Sequence, residues 1–213
     1  MTDRTEGQAR TDLRDDLGQR DARGVRAFVA VRMSEQVEAA VANTIDELRR
    51  PHDSVRWVPR SNLHITLKFL GPSVDPHRLQ QLAGGLAQLA TKTAPFEIEA
   101  AGVGAFPDLE HPRAIWVGLH SRQSGALAAL AARLETVAAE YGFEREKRRW
   151  SGHLTIGRVR DRRIAPETRD ALEAARDREF GVSRIESITL YRSHLGQDGS
   201  TYEALATFLF QWR

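Results

Sequence analysis

Cysteine is absent from the 213 residues, which excludes disulfides, thiolate nucleophiles, iron–sulfur clusters and Cys-bound zinc together. Lysine is scarce: Lys68, Lys92 and Lys147 are the only ones among 31 basic residues, so arginine carries the positive charge. An Ala- and Arg-rich, Lys-poor chain reflects coding bias first, and the ratio points to no function. Net charge is small as well, +2 from 31 basic and 29 acidic residues. That rules out a general polyanion binder, and any basic site must be local. No run approaches the roughly 18 apolar residues of a membrane span, and the first residues lack the basic-then-apolar order of a signal peptide. A cytoplasmic protein with no membrane partner is the expectation.

What is present suffices for one fair-sized globular domain or for a domain built from two lobes sharing a cleft: 41% of the residues are hydrophobic and 28% charged. Residues 1–24 hold only Leu13 and Leu17 as sizeable apolar side chains. These are too few to offset the entropy of ordering, so a disordered charged tail is expected there and a single bilobal domain over 25–213. Within that domain, β-branched and apolar runs predict strands at 26–32, 55–58, 63–70, 96–100, 114–119, 150–157, 184–191 and 202–210. Gly71-Pro72 is expected to close the third of these, and the turn between Gly196 and Gly199 to join the last two as a hairpin. Helical stripes appear at Val37, Val41, Ile45 and Leu48 behind Ser34, at Leu79, Leu82, Leu86 and Leu89, at Leu127, Leu130, Leu134 and Val137, and near 167–176. Each half of the chain carries strands, helices and one strand of a shared pattern, which predicts a duplicated α+β lobe.

The shared pattern is His-aliphatic-Thr-aliphatic: His64-Ile65-Thr66-Leu67 and again His153-Leu154-Thr155-Ile156. Residues i and i+2 of a strand project from one face, so each copy sets an imidazole beside a hydroxyl while the aliphatic partners face away. One such histidine is usually a packing residue. Two copies, one per lobe, put two groups that titrate near neutrality into one cleft with two hydroxyl donors. That set suits phosphoryl chemistry, in which a neutral His takes a proton from the attacking oxygen and a protonated His gives one to the leaving oxygen.

Other residues add less. Arg158 lies five positions after His153, on the wrong face of an ideal strand; a bend or bulge at Gly157 would redirect it and make it a candidate phosphate contact, with a solvent-exposed arginine the competing reading. Phe28, on the first strand, is a candidate for stacking on a base, with core packing the competing reading. Trp57, Trp116 and Trp150 are read as packing residues, and His52, His77, His111, His120 and His194 as surface or loop residues. Neither His-x-His nor His-Glu-x-x-His occurs, and both motif histidines neighbour hydroxyls, so no metal and no cofactor is expected. A Gly-x-Ser-x-Gly elbow is missing, and Gly102 with Gly104 is only a fragment of a nucleotide loop.

These residues resemble the two-histidine (2H) phosphoesterases, and among them the RNA 2',3'-cyclic phosphodiesterases once called 2'-5' RNA ligases. The likeness runs from Arg26–Val31 through Leu63–Gly71 and Ala114–Gly118 to His153–Arg158. Ser34 stands where that family often has proline. The resemblance implies an α+β, pseudo-twofold fold of two antiparallel sheets facing a central cleft, with helices outside. It implies metal-independent opening of a 2',3'-cyclic phosphate to a 2'-phosphate, with His64 as proton donor, His153 as proton acceptor, and Thr66, Thr155 and Arg158 on the phosphate. The implied partner is an RNA 3' end or a nucleotide bearing that cyclic phosphate, met by a monomer. Two alternatives stand beside it: a phosphodiesterase for small cyclic nucleotides or cyclic ADP-ribose derivatives, and a noncatalytic RNA-end binding module.

Overall fold

The computed structural model describes residues 24–51, 53–121, 125–161, 163–197 and 199–211. The expected tail lies outside them except for Gly24, and so does His52. Nine strands are described: Val25–Val31 (β1), Val55–Trp57 (β2), Ile65–Val74 (β3), Phe96–Phe106 (β4), Ala114–Ser121 (β5), His153–Val159 (β6), Glu179–Ile185 (β7), Ser187–Gly196 (β8) and Gly199–Leu209 (β9). They form two antiparallel sheets, sheet A in the order β3-β1-β8-β9 and sheet B in the order β2-β6-β5-β4-β7. Four helices accompany them: Glu35–Leu48 (α1), Pro76–Thr91 (α2), Ala126–Glu140 (α3) and Pro166–Ala174 (α4).

The helices form where the apolar stripes fall. Ser34 caps α1, its hydroxyl accepting from the Val37 amide at 3.5 Å, and Val37, Val41, Ile45 and Leu48 are each at most 2% exposed. The α2 stripe is buried in the same way, and each such leucine contributes roughly 1.5–3 kcal/mol. Gly142, at φ 76°, follows α3 in the left-handed conformation that glycine adopts without strain. No helix among the described residues is long and apolar enough to cross a membrane.

The helices cross between the lobes. α1 follows β1 of sheet A yet packs on β7 of sheet B, while α3 follows β5 of sheet B yet packs on β3 of sheet A, beside α2. β1 is buried on both faces. Val25, Ala27, Val29 and Val31 join the main core, and Phe28 and Ala30 form a second small cluster with Tyr191 and Tyr202 on the opposite face.

The structure corrects the sequence reading at three places. The lobes are not the two halves of the chain, because sheet A takes β1 and β3 from one end and β8 and β9 from the other. The strand expected at 184–191 is two strands that part at Glu186, β7 pairing with β4 and β8 with β1. The corner is hidden because apolar β-formers flank it on both sides; the Glu186 carbonyl there accepts from the Phe210 amide at 2.7 Å. Finally, β3 runs through Gly71 and Pro72 to Val74. It is an edge strand, where the N–H missing from proline is not needed by a further neighbour.

Candidate active site

Two bulges aim the site. Along β3 the register with β1 steps from Val29↔Lys68 to Ala30↔Thr66, leaving Leu67 as an extra residue. Along β6 the register with β5 steps from Ile115↔Gly157 to Trp116↔Thr155, leaving Ile156 extra. The two extra residues occupy the same place in the repeated motif, the aliphatic position after the threonine. A bulge inverts the alternation beyond it. On β6 Leu154 and Ile156 are fully buried while Arg158, which ideal alternation would send into the core, emerges on the side of His153 and Thr155. On β3 the same inversion turns Lys68 inward, where its Nζ donates to Glu135 Oε1 and Oε2 at 2.8 and 2.9 Å and to the Glu144 carbonyl at 2.9 Å.

The two motifs meet in one small pocket lined by Val58, Asn62, His64, Thr66, His153, Thr155, Arg158 and Tyr202. Its cavity volume is ≈ 60 Å³, far below the several hundred Å³ of a pocket that encloses a whole small molecule, so it suits a group such as a phosphate and not a nucleoside. Wider pockets open beside it, one running past Tyr202 and Arg158 and one past Thr66 and Trp150.

Both imidazoles are oriented by the same device. His64 Nδ1–H donates to the Asn62 carbonyl at 2.7 Å and His153 Nδ1–H to the Ser151 carbonyl at 3.0 Å, in each case two residues upstream. With Nδ1 so engaged, the tautomer leaves Nε2 of each ring as the nitrogen that exchanges protons. His64 Nε2 lies 3.1 Å from Thr66 Oγ1.

The turn that supplies the Asn62 carbonyl, Arg60–Asn62, is fastened from three sides. Arg32 grips Glu38 through two bonds at 2.8 and 2.6 Å and donates to the Ser61 carbonyl at 3.2 Å. Arg60 donates to the Glu35 carbonyl at 3.0 Å, and Asn62 Nδ2 donates to the Ser200 carbonyl at 2.6 Å. Burial holds His64 below the ordinary imidazole range; the Asn62 hydrogen bond opposes this, and the charges of Arg158 and Arg32 add to it. Burial likewise pushes the Tyr191 phenol up, so it stays neutral beside Arg32.

The structure brings His64, His153, Thr66, Thr155 and Arg158 to one place. Phe28 is different. It is 5% exposed and packed among His64, Tyr191 and Tyr202 at centroid distances of 4.8, 5.2 and 5.0 Å. Its ring supports the imidazole from beneath and leaves no face for a base. Trp57 is packed, at 8% exposed, whereas Trp150 does more than pack, since its Nε1–H donates to the Thr66 carbonyl at 3.1 Å and ties the two motifs together.

Sequence reasoning missed Asn62, Tyr202 and Phe106. Asn62 acts through its backbone, which no residue type signals; Tyr202 reaches the pocket only through tertiary pairing. Phe106, 39% exposed, stands edge-on to His153 at 5.2 Å and is one of few large apolar side chains left open.

The sequence profile of the 2'-5' RNA ligase superfamily matches residues 37–197. A curated relative from Archaeoglobus fulgidus, named RNA 2',3'-cyclic phosphodiesterase, is 34% identical over 86% of this chain and 99% of its own. One of the same name from Methanothermobacter thermautotrophicus is 30% identical over 86% and 98%. Among solved structures, TT0787 of Thermus thermophilus superposes with a TM-score of 0.73 at 26% identity, covering 87% of this chain and 97% of that one. E. coli LigT complexed with 3'-AMP shares the fold, with a TM-score of 0.67 at 23% identity over 88% and 99%. On the strength of the profile match, the chain belongs to the 2'-5' RNA ligase superfamily.

Proposed function

We propose that the protein hydrolyses 2',3'-cyclic phosphates at RNA 3' ends to 2'-phosphates, without a metal ion. The observation that carries this reading is the convergence of both His-Thr pairs and Arg158 on one phosphate-sized pocket. The curated relatives named RNA 2',3'-cyclic phosphodiesterase support the choice of substrate. The donor set supports the chemistry: two imidazoles, two threonine hydroxyls and a guanidinium line the pocket beside Asn62 and Tyr202, with no carboxylate among the described lining residues. Such a set transfers protons and stabilises oxyanion charge, and it offers no anionic carboxylate among its described residues to hold a hard cation.

In the proposed reaction a water attacks phosphorus opposite O3', and His153 Nε2 accepts the proton that water gives up. The P–O3' bond breaks, His64 Nε2 gives its proton to O3', and the phosphate stays on O2'. Thr66, Thr155 and Arg158 hold the equatorial oxygens, where charge accumulates. Burial and two arginines disfavour the His64 imidazolium. An anionic phosphate offsets those arginines, so the donor becomes protonated as the substrate binds.

The test is turnover of RNA ending in a 2',3'-cyclic phosphate in excess EDTA, with phosphorus NMR of the product against 2'- and 3'-phosphate standards. The 2' isomer alone is expected. Loss of activity on chelation, restored by Mn²⁺ or Zn²⁺, rejects the metal-free mechanism, and a 3'-phosphate product rejects the assignment of donor and acceptor.

A further inference from the structure

Arg56 on β2 stands directly opposite Arg158 on β6 in the sheet register. Like charges placed opposite each other on one sheet face destabilise the pair, so the fold itself gains nothing from this arrangement. Neither guanidinium meets a carboxylate among the described residues; Arg56 donates only to the Gln197 carbonyl, at a long 3.4 Å. Both side chains line a pocket of ≈ 460 Å³ bounded by Trp57, Gly196 and Thr201. That pocket shares Val58, Asn62, Arg158 and Tyr202 with the pocket that holds both His-Thr pairs, so the two adjoin along these side chains. Arg158 belongs to both. Arg56 belongs only to the outer one.

We infer that Arg56 binds a second phosphate, the one on the 5' side of the terminal nucleotide, while Arg158 faces the cyclic phosphate. This rests on the proposed function and extends it from a phosphate site to a strand site. A guanidinium matches a phosphodiester through two parallel N–H donors, and an anionic phosphate on each of the two arginines offsets their mutual repulsion. The outer pocket is large enough for the nucleoside that separates the two phosphates, which the inner pocket is not. Arg56 thereby makes the enzyme prefer a nucleotide that continues into a chain.

The experiment compares three substrates: a nucleoside 2',3'-cyclic phosphate, the same with a 5'-phosphate, and a dinucleotide ending in the cyclic phosphate. For the wild type the latter two should show kcat/KM about ten- to a hundredfold higher, the range of one charge-assisted bond. In Arg56→Gln the ratio should collapse toward one through KM, and the log–log salt slope for the dinucleotide should shrink by about 0.7. Arg149→Gln, in the pocket on the other side of the site, should keep the ratio. An unchanged ratio in Arg56→Gln, or its loss in Arg149→Gln instead, overturns the inference. Should the wild type turn over none of the three, the proposed function falls by itself. Calorimetric binding of a nucleoside 2',5'-bisphosphate against the 2'-monophosphate then decides on Arg56, since the gain from the 5'-phosphate must vanish in Arg56→Gln.

Discussion

His64 and His153 sit in matched surroundings, each held by a carbonyl two residues upstream, but only His64 is packed against aromatic rings on several sides, with Phe28 and Tyr202 within 5 Å of its centroid. The proposed mechanism makes them acid and base of one transition state and therefore requires both equally. Alanine at either is expected to lower kcat by roughly 10²–10⁴, and the double variant should lose far less than the product of the two. A folded single variant with wild-type kcat removes that histidine from the chemistry. Replacing Thr66 or Thr155 by Val keeps shape but deletes a donor, and should cost at most about 3 kcal/mol, in kcat more than in KM; normal turnover in both makes the hydroxyls structural. The depressed His64 pKa also fixes a sign. Because the unfolded chain binds the proton more readily, the stability owed to neutral His64 is present above the unfolded value of about 6.5 and is lost as pH falls from there through the folded value. Urea unfolding from pH 8 to 5 should therefore show the wild type losing stability relative to His64→Gln on the acid side, and parallel curves would contradict the burial argument.

At the level of elements, β3 and β6 show how a local irregularity redirects side chains. Without the extra residues Leu67 and Ile156, Arg158 would enter the core and Lys68 would leave it. The Lys68 side chain is 1% exposed and its partner Glu135 18% exposed, joining sheet A to α3. Removing one member of such a pair strands a buried charge. Glu135→Leu alone should cost about 3–5 kcal/mol, whereas Glu135→Leu with Lys68→Met should recover most of that loss. A double variant as unstable as the single one would show that the pair stabilises in its own right. Trp150→Phe keeps the ring and loses the bond to the Thr66 carbonyl, so kcat should fall severalfold while stability changes by about 1 kcal/mol; an unchanged kcat means the two motifs need no such tie. These elements were legible in the sequence to different degrees. The helices could be placed because the stripes Val37–Leu48 and Leu79–Leu89 follow a 3.6-residue period that tertiary contacts do not override. The paired motifs could be placed because a strand of period two puts His and Thr side by side. The bulge at Ile156 was half legible, since Gly157 marks a yielding point but not which residue is extra. The corner at Glu186 was not legible, because nothing in the local pattern distinguishes a bend between sheets from one long strand.

For the whole molecule the decisive feature is the interleaving of the lobes, which local sequence does not encode. Ala27 pairs with Arg192 across most of the chain, α1 carries sheet A's first strand onto sheet B, and α3 does the reverse. One continuous core holds Val29 and Ile188 of sheet A together with Ile98, Ile115 and Leu154 of sheet B. The candidate pocket takes one motif from each sheet, so its geometry is only as constant as the relation between the sheets. Independent lobes would let His64 and His153 drift apart, and an error of about 1 Å in such a site can cost a hundredfold in rate. Interleaving prevents this, because neither sheet can open without withdrawing a helix from the back of the other. Native-state hydrogen exchange tests the claim directly. Amides of the central strands β1 and β5 should exchange only through global unfolding, with equal protection free energies and equal sensitivity to denaturant. Folding should be slow for a chain of this size, since the β1–β8 ladder closes a very long loop before it is rewarded. If β5 keeps full protection while β1 exchanges at a clearly lower free energy, the lobes are separate cooperative units, and the constancy of the cleft must come from the short bridges across it, such as Trp150 to Thr66.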